Sequence, residues 1–203
     1  SEWGPGRSIE KAFEKEFNCD LQFKTGDVLS RIILEGKHNE ADIVIGLNTD
    51  VTKKARETGL FTNHGQNNAK LTLPLTWTDD VFLPFNYSHV ALIYNAKRLK
   101  KAPASFKALI QSDDDLKIII QDPRSSISGP ALVLWIKAVF GDEAQAAWEK
   151  LAPKILSVTK GWSEAYGLFT DGEADLVLSY TTSPACHIIA EEDLTKKAVI
   201  FPE

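Results

Sequence analysis

The stretch KIIIQDPRSSISGPALVLWIKAVF, residues 117–140, decides the fold class. It opens on an unbroken apolar run, Ile118-Ile119-Ile120, which lacks the apolar–polar alternation of a half-wet strand and fits a strand buried on both faces. It closes on a second apolar segment, Pro130 to Phe140, long enough for a helix and starting on a proline, which a first helical turn tolerates. Between them Gln121 to Gly129 is a loop of polar and turn-forming residues. A buried strand leading straight into a helix is the unit from which parallel sheets are built.

The same alternation extends in both directions. Downstream come the helix Glu143 to Ala152, the strand Ile155 to Val158, the helix Ser163 to Thr170, the strand Asp175 to Ser179, the helix Ser183 to Ala190 and a strand from Ala198 to Phe201. Upstream, Ile9, Ala12, Phe13 and Phe17 share one face of a helix from Ser8 to Phe17. Leu21 to Phe23 reads as a short strand, Val28 to Ile33 as a helix stopping at Gly36, Ile43 to Ile45 as a buried strand, and Val51 to Thr58 as a helix closed by Gly59. The pattern predicts an α/β fold with parallel-rich sheets covered on both faces. One stretch breaks the rhythm: Val81 to Phe85 and Val90 to Tyr94 are extended runs separated only by Asn86 to His89. In a two-lobed α/β protein the chain would cross between lobes there; an ordinary hairpin is the other reading. On the crossing reading, residues 1–85 form part of lobe 1 and residues 86–203 mostly lobe 2, with crossing strands near 81–94.

Composition excludes several function classes. With 43% hydrophobic and 25% charged residues over 203, the chain can bury a core. A formal charge of −5, scattered along the length, provides no basic stripe for nucleic acid. The longest apolar candidate, Ala131 to Val139, is too short to cross a bilayer and is broken by Lys137. Cys19 and Cys186 are too few for a disulfide framework, and His38, His64, His89 and His187 stand singly without HExxH or CxxC, so no metal centre is expected. No nucleophile elbow, P-loop or dinucleotide fingerprint is present, which leaves no catalytic set and no cofactor. The chain contains no methionine and runs from Ser1 almost directly into a helix; at its other end a strand stops at Glu203. We expect an incomplete protein at both termini, lacking a first strand and the remainder of lobe 1.

Ligands of open α/β sheets gather at the carboxyl ends of strands, and three such junctions stand out. After Ile120, the loop carrying Ser125 and Ser126 runs into a helix start whose N–H groups and hydroxyls suit an anion such as phosphate. In the competing reading Ser128 caps the helix and the other serines face water. After Val158, Lys160-Gly161-Trp162 puts an indole at a helix start, where its face can stack on a flat ring. After Ser179, Tyr180-Thr181-Thr182-Ser183 adds a phenol and hydroxyls. Aromatic faces attract organic cations by about 0.5–2 kcal/mol, although either aromatic alone is more often core packing.

These segments, IIIQDPRSSISG, TKGWSEAYGLF and GEADLVLSYTTSPA, together with ILEGKHNEADIVIGLN and VFLPFNYSHVALIYN, closely resemble the periplasmic thiamine-binding proteins of Gram-negative bacteria over nearly the whole chain. The resemblance implies a two-lobed periplasmic-binding-protein (Venus-flytrap) fold. It implies a monomer that captures thiamine, thiamine monophosphate or thiamine diphosphate in an interlobe cleft in the periplasm and delivers it to an inner-membrane ABC permease, catalysing nothing. Carried over by position, Trp3 and Trp162 line the cleft, Tyr180 faces the thiamine rings and Ser126 meets the phosphate. Where the family carries a tyrosine after Ser-Pro-Ala, this chain has Cys186, which removes one aromatic wall. Two alternatives share the fold: a binder of ferric ion, a polyamine or an oxyanion, and a thiamine-cleaving enzyme for which Cys186 and Glu164 are the only thiol and carboxylate to offer.

Overall fold

The computed structural model describes residues 6–26, 28–66, 71–199 and 201. The chain forms two compact units, Ser1–His64 and Gly65–Glu203. In the first, α1 (Gly6–Phe17), α2 (Val28–Glu35) and α3 (Thr52–Glu57) match the helices read from the sequence, and Gly36 and Gly59 follow two of them at φ +53° and +67°, backbone that other residues rarely adopt. The strands expected at Leu21 to Phe23 and Ile43 to Ile45 are not formed; Ile43 is 75% exposed. A strand exists only with a hydrogen-bonded neighbour, and these runs have none among the described residues.

Among the described residues the second unit contains one sheet. Its strands are β1 (Val90–Asn95), β2 (Ile118–Gln121), β3 (Ile155–Thr159), β4 (Leu176–Tyr180) and β5 (Lys196–Val199), in the order β3-β2-β4-β1-β5. β2 runs parallel to both β3 and β4, whereas β1 is antiparallel to β4 and β5. The sheet is therefore parallel-rich with one reversed strand. β1 answers to the predicted run Val90 to Tyr94; its companion Val81 to Phe85 joins no ladder among the described residues.

Burial explains the unbroken apolar runs. Ile118 and Ile120 point into one core with Leu92, Leu176 and Leu178, while Ile119 points into another with Ile93, Val177 and Tyr166. The first core is closed by α4 (Phe106–Gln111), α5 (Ser128–Phe140) and α6 (Ala144–Leu151); the second by α7 (Trp162–Thr170). Each isoleucine side chain taken wholly from water contributes about 1.5–3 kcal/mol, so both sheet faces hold the strand. The short helix α4 was not legible in the sequence; Ser105 caps it, its Oγ accepting from the Ala108 N–H at 2.9 Å. The final helix, α8 (Ser183–Glu191), lies between β4 and β5 in sequence.

Candidate functional site at the strand ends

Because β3, β2 and β4 are parallel neighbours, their carboxyl ends lie side by side, and the reversed β1 brings its amino end to the same edge. The Thr181 N–H donates to the His89 carbonyl at 2.9 Å. The three junctions picked out from sequence thus meet on one edge, and hydrogen bonds tie them together. Asp122 N–H donates to the Thr159 carbonyl at 2.8 Å, and Ser125 Oγ to the Lys160 carbonyl at 2.7 Å.

In the β2–α5 loop the serines divide their work differently from the reading in which Ser128 caps the helix. Ser126 Oγ donates to the Asp122 carbonyl (2.8 Å) and accepts the Gly129 N–H (3.0 Å), so Ser126 performs the capping expected of Ser128. Ser128 is buried instead, its Oγ donating to Gln121 Oε1 at 2.6 Å, while Gln121 Nε2 donates to the Leu178 carbonyl at 3.0 Å. The buried amide of Gln121 thus joins β2, β4 and the first turn of α5. Gly129 is required here, since a Cβ would stand 2.7 Å from Gln121 O and from Pro123 N and Cα. Beside the loop, the Arg124 guanidinium hydrogen-bonds Asp122 and holds its carboxyl down at about 2.

The indole of Trp162 is half-buried at the start of α7. Its Nε1 donates to Ser179 Oγ at 2.7 Å, and Ser179 Oγ in turn lies 2.7 Å from Ser183 Oγ. One indole face is stacked on Tyr166, with centroids 4.7 Å apart and planes 19° apart. Trp162 therefore sits at the rim of a core rather than deep within it. Tyr180 is also half-buried; burial raises its hydroxyl pKa, and the nearby Ser128 hydroxyl opposes the rise. The phenol therefore lies near the first turn of α5.

Of the remaining predicted residues, Cys186 is an exposed free thiol on α8, Ser125 is exposed in its loop, and Trp3 lies outside the described residues. Cys186 is exposed, whereas its neighbour His187 is buried. Glu164 is exposed. Two surface pockets, of about 90 and 290 Å³, are lined by other residues. Sequence reasoning missed Ser179 and Gln121; the only signal was a polar residue at or next to the end of each of two otherwise apolar strands.

Residues 6–202 match the profile of the family described as bacterial extracellular solute-binding protein. The chain belongs to that family. This solute-binding protein is 46% identical over 207 aligned residues to the thiamine-binding periplasmic protein of Brucella melitensis, covering all of this chain and 62% of that one. Against the protein of the same name from Escherichia coli K12 it is 46% identical and spans 63% of its length. Among solved structures, a periplasmic thiamin binding protein superposes with a TM-score of 0.93 at 46% identity, over 99% of this chain and 64% of that one. AfuA from Actinobacillus pleuropneumoniae, at 21% identity and TM-score 0.77 over 97% of this chain and 66% of its own, shares the periplasmic-binding-protein fold. The chain thus spans less than two thirds of the length of its curated relatives.

Proposed function

We propose that this solute-binding protein captures thiamine or a thiamine phosphate in the periplasm and hands it to an ABC permease of the inner membrane. The observation that carries this reading is the strand-end edge itself, where Trp162 hydrogen-bonds Ser179 of β4 and Tyr180, the next residue, lies near Ser128 of α5, in a chain 46% identical to proteins named for thiamine binding. A thiazolium is a flat cation, and an indole whose other face is backed by Tyr166 is a rigid platform for it, with a contribution of about 0.5–2 kcal/mol. The function is capture and release, with no bond made or broken, so the site needs preorganised contacts rather than a nucleophile. A phosphate would take its place at the α5 first turn by drawing Ser126 Oγ away from the Asp122 carbonyl.

Titration with thiamine and thiamine monophosphate, followed by tryptophan fluorescence, tests the proposal. The expected result is a saturable change at micromolar ligand that weakens roughly two- to thirtyfold in Trp162→Ala, the range that the cation–π contribution converts to. No saturable change in the wild-type protein, or competition by ferric ion or spermidine but not by thiamine, refutes it.

A further inference from the structure

Behind the indole runs a polar chain that ligand contact does not explain. Tyr166 and His187 are each only 2% exposed. The Tyr166 hydroxyl lies 2.9 Å from His187 Nε2, and His187 Nδ1 lies 2.8 Å from Glu191 Oε2. A carboxylate at Nδ1 fixes the tautomer: Nδ1–H donates to Glu191, leaving Nε2 to accept the Tyr166 O–H. The two rings are themselves stacked, with centroids 5.7 Å apart and planes 23° apart. The Asp193 N–H donates to the His187 carbonyl at 3.1 Å, and Lys196 pairs with the Asp193 carboxylate at 2.9 Å, which pins the end of α8 to β5.

A tryptophan side chain has two soft torsions, and this arrangement restrains both. Tyr166 blocks one indole face, while Ser179, backed by Ser183, holds the N–H; turning the ring over would break that bond. We infer that Tyr166, His187 and Glu191 are positioning residues for Trp162: the carboxylate orients the imidazole, the imidazole orients the phenol, and the phenol sets the plane on which the indole presents itself to ligand. The consequence for affinity rests on the thiamine reading above; the consequence for the indole does not. Preorganising an aromatic platform from behind removes ordering cost from binding without any contact to the ligand.

The test uses protein labelled with 5-fluorotryptophan, the Trp162 resonance being assigned among five tryptophans by its loss in Trp162→Phe. In ligand-free protein His187→Ala shifts or broadens that resonance, and His187→Gln, whose amide oxygen can still accept the Tyr166 hydroxyl, restores it. Thiamine affinity follows, falling roughly fivefold in His187→Ala, the factor one lost hydrogen bond gives, and recovering to within about twofold in His187→Gln. An unchanged Trp162 resonance in folded His187→Ala, or equal disturbance in both variants, overturns the inference. Should His187→Ala fail to unfold cooperatively, Tyr166→Phe and Glu191→Gln are read the same way, and an unchanged resonance in both overturns it. If wild-type protein binds no thiamine, the carrier reading falls while the fluorine spectrum still decides the positioning.

Discussion

Replacing Gly129 by alanine puts the packing of the site loop to a quantitative test. The added Cβ would lie 2.7 Å from three backbone atoms, Gln121 O, Pro123 N and Pro123 Cα, where carbon contacts settle near about 3.5 Å. None of these atoms belongs to a flexible side chain, so relief requires α5 to back away from the end of β2. Overpacking of this kind costs about 1–3 kcal/mol. The preference of helices for alanine over glycine offsets up to about 1 kcal/mol of that, and less in a first turn. A net loss of about 1–2 kcal/mol, divided by a urea dependence of about 2 kcal/mol per molar, moves the unfolding midpoint down by roughly 0.5–1 M. Gly161→Ala is the matched control: it stands in extended backbone at φ −148° with nothing within 4 Å of its would-be Cβ, so its midpoint should stay within about 0.3 M of wild type. The retreat of α5 also moves Ser126 and Ser128 relative to Tyr180, and thiamine affinity should fall with stability. A midpoint for Gly129→Ala equal to or above that of wild type refutes the claim that close backbone approach sets this loop.

Two further perturbations probe the same edge. Gln121→Leu keeps volume but removes both bonds of a buried amide, leaving the Leu178 carbonyl and the Ser128 hydroxyl without it; at about 1–3 kcal/mol for each stranded group, the melting temperature should drop roughly 4–24 °C, and a change under about 1 °C would show that other partners take over. Acid unfolding reports on Asp122, whose carboxyl titrates near 2 rather than 3.8 because Arg124 hydrogen-bonds its ionised form. A depressed folded-state pKa contributes stability that is present above the unfolded value and is lost as pH falls through the folded one. Asp122→Asn should therefore flatten the dependence of the urea midpoint on pH between about 4 and 2, whereas parallel curves for the two proteins would exclude the linkage.

What the sequence determined on its own were the features written in local spacing. Three consecutive isoleucines bounded by a turn-rich loop already demand a strand covered on both faces, and Ile118 to Ile120 are divided between two cores as that reading requires. Helix ends at Gly36 and Gly59 follow from φ values that glycine alone adopts readily. The three strand ends carrying Ser125, Ser126, Trp162 and Tyr180 were legible because strand-to-helix junctions announce themselves by composition. Tertiary structure alone decided what depends on distant backbone. Ile43 to Ile45 is as apolar as Ile118 to Ile120, yet among the described residues only the latter has neighbours to complete a ladder, and no periodicity encodes a partner. The reversal of β1 is likewise a matter of pairing. Ser126 rather than Ser128 caps α5 because Gln121, seven residues before Ser128, is in position to take the buried hydroxyl. Tyr166 and His187, 21 residues apart, look in sequence like ordinary helix residues; only the packing of α7 and α8 brings their side chains within hydrogen-bonding distance.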